Sequence, residues 1–182
     1  ESGAEIVITT TVGKVDPPHT DSMQVDLATG GTMTGLVIRN NILDRRRSVG
    51  TNGIRDGQGL KLWAADSQSI SCTIENNLIN AGNSSLMEGL NDANIYNNTI
   101  YGPGGLSIRC GEANTTINNM YNNLIEKMSV LDAAGGYYVN IKNHGNNIFN
   151  TNPTGQGADY PFVLDSTEVV SSTFAGLFTN PS

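Results

Sequence analysis

The chain has 182 residues and a net charge of −7, with charged residues at 15%, aromatics at 6% and 21 glycines. That length suits one domain with a substantial core, and the acidic balance disfavours nonspecific binding to nucleic acid, whose phosphates reward a basic face. The low charge and the abundance of Gly and Asn also exclude a helical bundle and a disordered acidic tail.

The first residue is Glu, there is no signal peptide, and no apolar run approaches the roughly 18 residues of a membrane span. The chain therefore reads as one domain over residues 1–182, a mature or excised segment of a longer protein. Cys72 and Cys110 are too few and too far apart for a metal site or a disulfide framework, and read as buried free thiols. Three Asn-x-Ser/Thr matches, at Asn83, Asn97 and Asn114, are of the kind an Asn-rich chain produces by chance.

In chain order, the stretch PPHTDSMQVD comes first and gathers His19, Asp21, Gln24 and Asp26 just ahead of, and inside, the alternation Met23-Gln24-Val25. IRNNILD follows at Ile38 to Asp44, then DRRRSVGTNGIRDGQ from Asp44 to Gln58, which holds Arg45, Arg46, Arg47 and Arg55. A second alternation, Leu60-Lys61-Leu62, leads to Trp63, the only tryptophan, and on to IENNLIN at Ile74 to Asn80. After a less clear apolar stretch from Leu86 to Leu90 comes IYNNTIY at Ile95 to Tyr101. Leu106-Ser107-Ile108 precedes MYNNLIE at Met120 to Glu126, and a looser copy, HGNNIFN, runs from His144 to Asn150.

The first Asn of each pair falls at 40, 76, 97, 122 and 146, so the intervals are 36, 21, 25 and 24 residues. Such spacings belong to solenoids. An aliphatic residue stands two before the first Asn (Ile38, Ile74, Ile95, Met120) and another two after it (Ile42, Leu78, Leu124), which is strand periodicity. Each unit thus reads as one strand, a turn, and two short strands bent about the Asn pair: a three-sided coil that pairs with the coils above and below. An Asn at the bend accepts a left-handed backbone. Stacked over its equivalent in the next coil, its amide donates to one neighbour and accepts from the other, which predicts Asn40, Asn76, Asn97 and Asn122 in one inward column. The alternative, hairpin turns in a sandwich, fits less well because hairpins favour NG or DG.

The repeats IRNNIL, IENNLI, IYNNTI and MYNNLI resemble the rungs of right-handed parallel β-helices of the pectate-lyase-like superfamily, over roughly Met23 to Phe149. The resemblance implies an all-β, single-stranded parallel β-helix with an Asn ladder and about 5 to 7 rungs. It also implies that the Asp44 to Gln58 insertion is one of the loops that vary freely in this family. TFAGLFTNPS, at the C-terminus, resembles the segment that follows the last rungs in some secreted members, after which the chain continues. The family spans polysaccharide lyases, glycoside hydrolases and phage tailspikes, so function has to be argued from the site.

Family grooves run along the outer face of the first strand of each rung. Alternation then puts Met23, Val25, Leu60, Leu62, Leu106 and Ile108 inward, and Gln24, Asp26, Lys61, Trp63, Ser107 and Arg109 outward, with Glu88 expected to join them. Trp63 is a candidate to stack on a sugar ring; the bland alternative is packing beneath a loop. His19-x-Asp21-x-x-Gln24 resembles a pattern in some proteins of this type and offers an Asp-oriented imidazole for general-base work. Its alternative is a turn network closing the first coil, with Gln24 joining the amide stack.

For a lyase, Lys61 and Arg109 are the right residue types for base and neutraliser, with His19 or Asp21 assisting, but two strand spacings, roughly 9.6 Å, separate their strands. A hydrolase needs two carboxylates about 5 to 9.5 Å apart, and Asp26 and Glu88 would serve only with Lys61 between them. No cofactor is expected. Calcium is the one alternative, and Asp26, Glu88 and Asp132 are scattered singly rather than clustered. The arginine-rich insertion reads as a solvated loop, or as a contact for an acidic glycan or an anionic surface.

The expected function is recognition of a polysaccharide by an extracellular or virion-surface β-helix, or service as a tailspike or fibre segment. A lyase acting on acidic glycans and a purely structural tail or fibre subunit are the alternatives. The expected partner is a glycan, with no nucleic acid and no membrane span, and with a homotrimer if the chain is a spike.

Overall fold

The structure, a computed structural model, describes residues 22–27, 31–43, 58–65, 68–82, 84–110, 113–132, 136–156 and 162–172. Its strands follow one another in a repeating order. β1 (Met23–Leu27), β2 (Thr32–Arg39) and β3 (Ile42–Leu43) are followed by β4 (Leu60–Ala64), β5 (Ser69–Glu75) and β6 (Leu78–Asn80). Next come β7 (Ser85–Glu88), β8 (Ala93–Tyr96) and β9 (Thr99–Tyr101), then β10 (Leu106–Cys110), β11 (Thr115–Tyr121) and β12 (Leu124–Ile125). The series ends with β13 (Met128–Asp132), β14 (Val139–Gly145), β15 (Ile148–Phe149), β16 (Thr154–Gln156) and β17 (Val169–Val170).

Every third strand joins the same sheet. The first sheet has the order β1-β4-β7-β10-β13-β16, the second β14-β11-β8-β5-β2, and the third β17-β15-β12-β9-β6-β3. The ladders between these strands are parallel throughout. The described chain is therefore an all-β parallel solenoid, and no described helix is long and apolar enough to cross a membrane.

Side-chain alternation builds the core. In the first sheet Met23, Leu60, Leu62, Leu106 and Ile108 are buried and Val25 packs against them, as their period-two spacing requires. In the second sheet Ile38, Ile74, Ile95 and Met120 lie in register and are buried. In the third, Ile79, Ile100, Ile125 and Phe149 point in. Ile42, Leu78, Thr99, Leu124 and Ile148 share the neighbouring register position and face out, Ile42 and Ile148 being exposed. Cys72 and Cys110 are buried free thiols, and burial pushes the Cys72 thiol up to about 12.

The Asn pairs divide their labour between two neighbours. The first of each pair, Asn40, Asn76, Asn97, Asn122 and Asn146, has φ between 52 and 58° and turns the chain from the second sheet into the third. That left-handed conformation is one Asn tolerates better than most residues. These five side chains are exposed, contrary to the inward column expected of Asn40, Asn76, Asn97 and Asn122. The reversal of direction at the left-handed residue turns the following side chain into the core instead for Asn77, Asn98, Asn123 and Asn147, while Asn41, which begins the series, stays exposed.

There the second asparagines meet. Asn41 Nδ2 donates to Asn77 Oδ1 at 3.1 Å, Asn77 Nδ2 to Asn98 Oδ1 at 2.9 Å, Asn98 Nδ2 to Asn123 Oδ1 at 3.1 Å, and Asn123 Nδ2 to Asn147 Oδ1 at 3.0 Å. The remaining Nδ2 hydrogen of Asn77, Asn98 and Asn123 reaches Ile38 O, Ile74 O and Ile95 O, and each Oδ1 also accepts the backbone N–H of the preceding coil's asparagine. A buried amide has two donors and two acceptor positions, and all four are used. Because all the donors point the same way, the series must finish on an acceptor: Asn147 Nδ2 donates to Glu168 Oε1 at 2.6 Å.

Candidate functional site

The outer face of the first sheet carries two columns set by strand register. One runs Gln24, Lys61, Leu86, Ser107, Ser129; the other Asp26, Trp63, Glu88, Arg109, Leu131. Adjacent strands lie about 4.8 Å apart, so equivalent groups recur at that interval along the solenoid.

At the β1–β4 end, Gln24 Nε2 donates to Asp26 Oδ2 at 3.0 Å and Lys61 Nζ lies 3.4 Å from the same oxygen. Lys61 Nζ also sits 5.8 Å from the centre of the half-buried Trp63 ring, within reach of a cation–π attraction. Gln24 thus belongs to the outer face and not to the inward amide series. At the β7–β10 end, Arg109 Nε donates to Glu88 Oε2 at 2.8 Å. Glu88 is almost fully buried while the Arg109 side chain is 45% exposed, so the guanidinium is the solvent-facing member of that pair.

Each cation proposed for chemistry therefore has a carboxylate partner. Lys61 and Arg109 stand in different columns and on strands separated by β7, so the fold does not bring them to one point. Between Asp26 and Glu88 the register places Trp63, where a hydrolytic pair would have needed Lys61. Ser107 is buried, as is Leu86, the apolar interruption in an otherwise polar column. His19 and Asp21 lie outside the described residues, as do Arg45, Arg46, Arg47, Arg55 and the segment 173–182. Among the described residues no three His, Cys, Asp or Glu side chains gather as metal ligands.

A second polar cluster lies where the amide series ends. Glu168 Oε2 accepts from the Asp165 N–H at 2.9 Å and lies 3.0 Å from His144 Nδ1, and the His144 ring packs against Phe162 with centroids 4.6 Å apart. Asp165 accepts the Thr167 hydroxyl at 2.7 Å and the Thr167 N–H at 2.9 Å, and these bonds hold its carboxyl below the usual carboxylate range. Sequence reasoning missed Glu168 because it stands outside every NN repeat. The signal available was indirect: a one-way amide series needs a terminal acceptor.

No protein-family model, no curated protein and no solved structure matches this chain significantly.

Proposed function

We propose that the chain is a right-handed parallel β-helix of the pectate-lyase-like kind that recognises a polysaccharide along the outer face of its first sheet, acting outside the cell or on a virion surface. The observation that carries this reading is the Gln24–Asp26–Lys61–Trp63 patch. An indole is framed there by an amide, a carboxylate and an ammonium at the spacing of the strands. Such a patch offers a surface for the apolar face of a sugar and donors and acceptors for its hydroxyls.

Binding is favoured over turnover because Lys61 and Arg109 each lie against a carboxylate and not against a shared reacting centre. A lyase would need one cation free to neutralise a uronate and a base beside the same carbon. The test is a titration of Trp63 fluorescence with alginate, polygalacturonate and glycosaminoglycans, alongside ultraviolet absorbance of unsaturated uronates. A fluorescence change that Lys61→Ala removes, retardation in gels carrying the same polymers that Trp63→Ala removes, and no unsaturated product are the expected results. Binding to those polymers that survives both substitutions refutes this face as the site, and accumulation of unsaturated product restores the lyase.

A further inference from the structure

The solenoid's second sheet carries a surface pattern that its fold does not demand. Two successive coils read Asn94-Ile95-Tyr96-Asn97 and Asn119-Met120-Tyr121-Asn122. Folding accounts for Ile95 and Met120, which are buried, and for Asn97 and Asn122, whose φ values are 52 and 57°. It does not specify Asn at 94 and 119 or Tyr at 96 and 121, which alternate onto the outer face and are half-buried there.

Register turns this pattern into three adjoining columns. Thr73, Asn94, Asn119 and Asn143 form one; Glu75, Tyr96, Tyr121 and Gly145 form the next. Asn76, Asn97, Asn122 and Asn146 border them along the turn. Asn119 Nδ2 donates to Asn94 Oδ1 at 2.7 Å, and Tyr96 Oη donates to the same oxygen at 3.3 Å, which ties the first two columns together. Gly145 leaves room for the Tyr121 ring, since a Cβ there would stand 3.1 Å from Tyr121 Cε1.

Hydrogen-bonding capacity is left over. The side-chain amides of Asn97, Asn122 and Asn146 and the Tyr121 hydroxyl make no hydrogen bond to a described residue, and Asn94 Nδ2 donates to none. The strip is also electrically balanced. Lys142 Nζ and Asp92 Oδ1 are joined through Asn118, at 2.8 and 3.0 Å, and at the other end Arg39 and Glu75 are register neighbours.

We propose that this strip binds a strand of uncharged glycan lying along the solenoid axis, with sugar faces on Tyr96 and Tyr121 and hydroxyls on the flanking amides. A polymer on that line meets two rings, Tyr96 and Tyr121, about 4.8 Å apart, with a turn asparagine beside each. An amide matches a hydroxyl because both donate and accept, and a phenol presents an apolar face with a polar tip. A uronate or sulfate polymer gains no net positive charge here, because Lys142 and Arg39 are matched in number by Asp92 and Glu75. The site is separate from the first-sheet patch and stands or falls independently of it.

The test is affinity electrophoresis of the whole chain in gels carrying hydroxyethylcellulose, arabinoxylan or galactomannan, with polygalacturonate as the acidic control. Amide chemical-shift mapping with the matching oligosaccharides accompanies it. Expected are retardation by at least one uncharged polymer and shifts at Asn94, Tyr96, Asn119 and Tyr121 without any at Trp63. Tyr96→Ala/Tyr121→Ala is expected to lose about tenfold or more in affinity, while Tyr96→Phe/Tyr121→Phe stays close to the parent. The mapping and the Phe pair decide the matter even if the Ala pair does not fold. The proposal is overturned if no uncharged polymer retards the chain, if polygalacturonate is preferred, if shifts fall on the Trp63 face, or if a folded Ala pair binds unchanged.

Discussion

Replacing Asn98 by alanine removes four hydrogen bonds made by one buried side chain: two donated, to Asn123 Oδ1 and Ile74 O, and two accepted, from Asn77 N and Asn77 Nδ2. The backbone N–H of Asn98 still reaches Asn123 Oδ1, so that oxygen keeps a partner. What is stranded is a pair of donors on Asn77, and each buried unsatisfied group costs about 1 to 3 kcal/mol, giving about 2 to 6 kcal/mol for Asn98→Ala. Asn97, one residue earlier, is exposed with φ 52°, and Asn97→Ala forfeits only tolerance of the left-handed region, about 1 kcal/mol. Asn98→Asp keeps the shape but turns an acceptor toward Ile74 O and Asn123 Oδ1, so it is expected to be at least as damaging as alanine. Urea unfolding followed by circular dichroism ranks the three. A midpoint for Asn98→Ala equal to or above that of Asn97→Ala would refute the division of labour within the pair.

Other expectations follow from single contacts. Ser85 occupies an inward position in register with Leu106, and its buried Oγ has no hydrogen-bond partner among the described residues, so Ser85→Ala is expected to be neutral or stabilising by about 1 kcal/mol in the same assay. Gly105 and Gly35 both have positive φ, but a Cβ at Gly105 would stand 2.3 Å from Lys127 O while one at Gly35 meets open space; Gly105→Ala should lower the melting temperature well below that of Gly35→Ala. Cys72, with its thiol pushed up to about 12, should stay inert to Ellman's reagent near pH 8 until the chain unfolds, and prompt reaction of the native protein would contradict its burial. Asp165 titrates below its ordinary value in the folded chain, so its contribution to stability is present above the unfolded value and is lost as pH falls through the folded one. Asp165→Asn should therefore flatten the loss of stability below about pH 4.

The parts of the fold that a sequence can carry are those with a period. Leu60 and Leu62, or Leu106 and Ile108, announce an inward face by alternation alone, and the NN spacing announces the coil. Which asparagine of a pair turns inward was not legible. The two residues are chemically identical and adjacent, and only the left-handed φ of the first decides that the second faces the core. β7 defeated alternation because Ser85, Leu86, Met87 and Glu88 are all buried, so outward and inward residues cannot be told apart by polarity there. Glu88 was read as part of an open face, and its pairing with Arg109 depends on register between strands 21 residues apart. The Asn-x-Tyr-Asn repeat was in plain view, but its outer-face meaning appears only once β8 and β11 are seen to be neighbours.

Columns on the outside exist only if coils stack on the inside. The most direct measurement is a set of cross-peaks between side-chain amide protons in nuclear magnetic resonance, with the hydrogen-exchange rates of the same protons. The stacked arrangement predicts contacts linking Asn77 to Asn98, Asn98 to Asn123 and Asn123 to Asn147, with slow exchange at each, while Asn97 and Asn122 exchange freely. Rapid exchange at Asn98 and Asn123 with no contact between them would contradict the stacking, and with it both faces proposed to bind glycan.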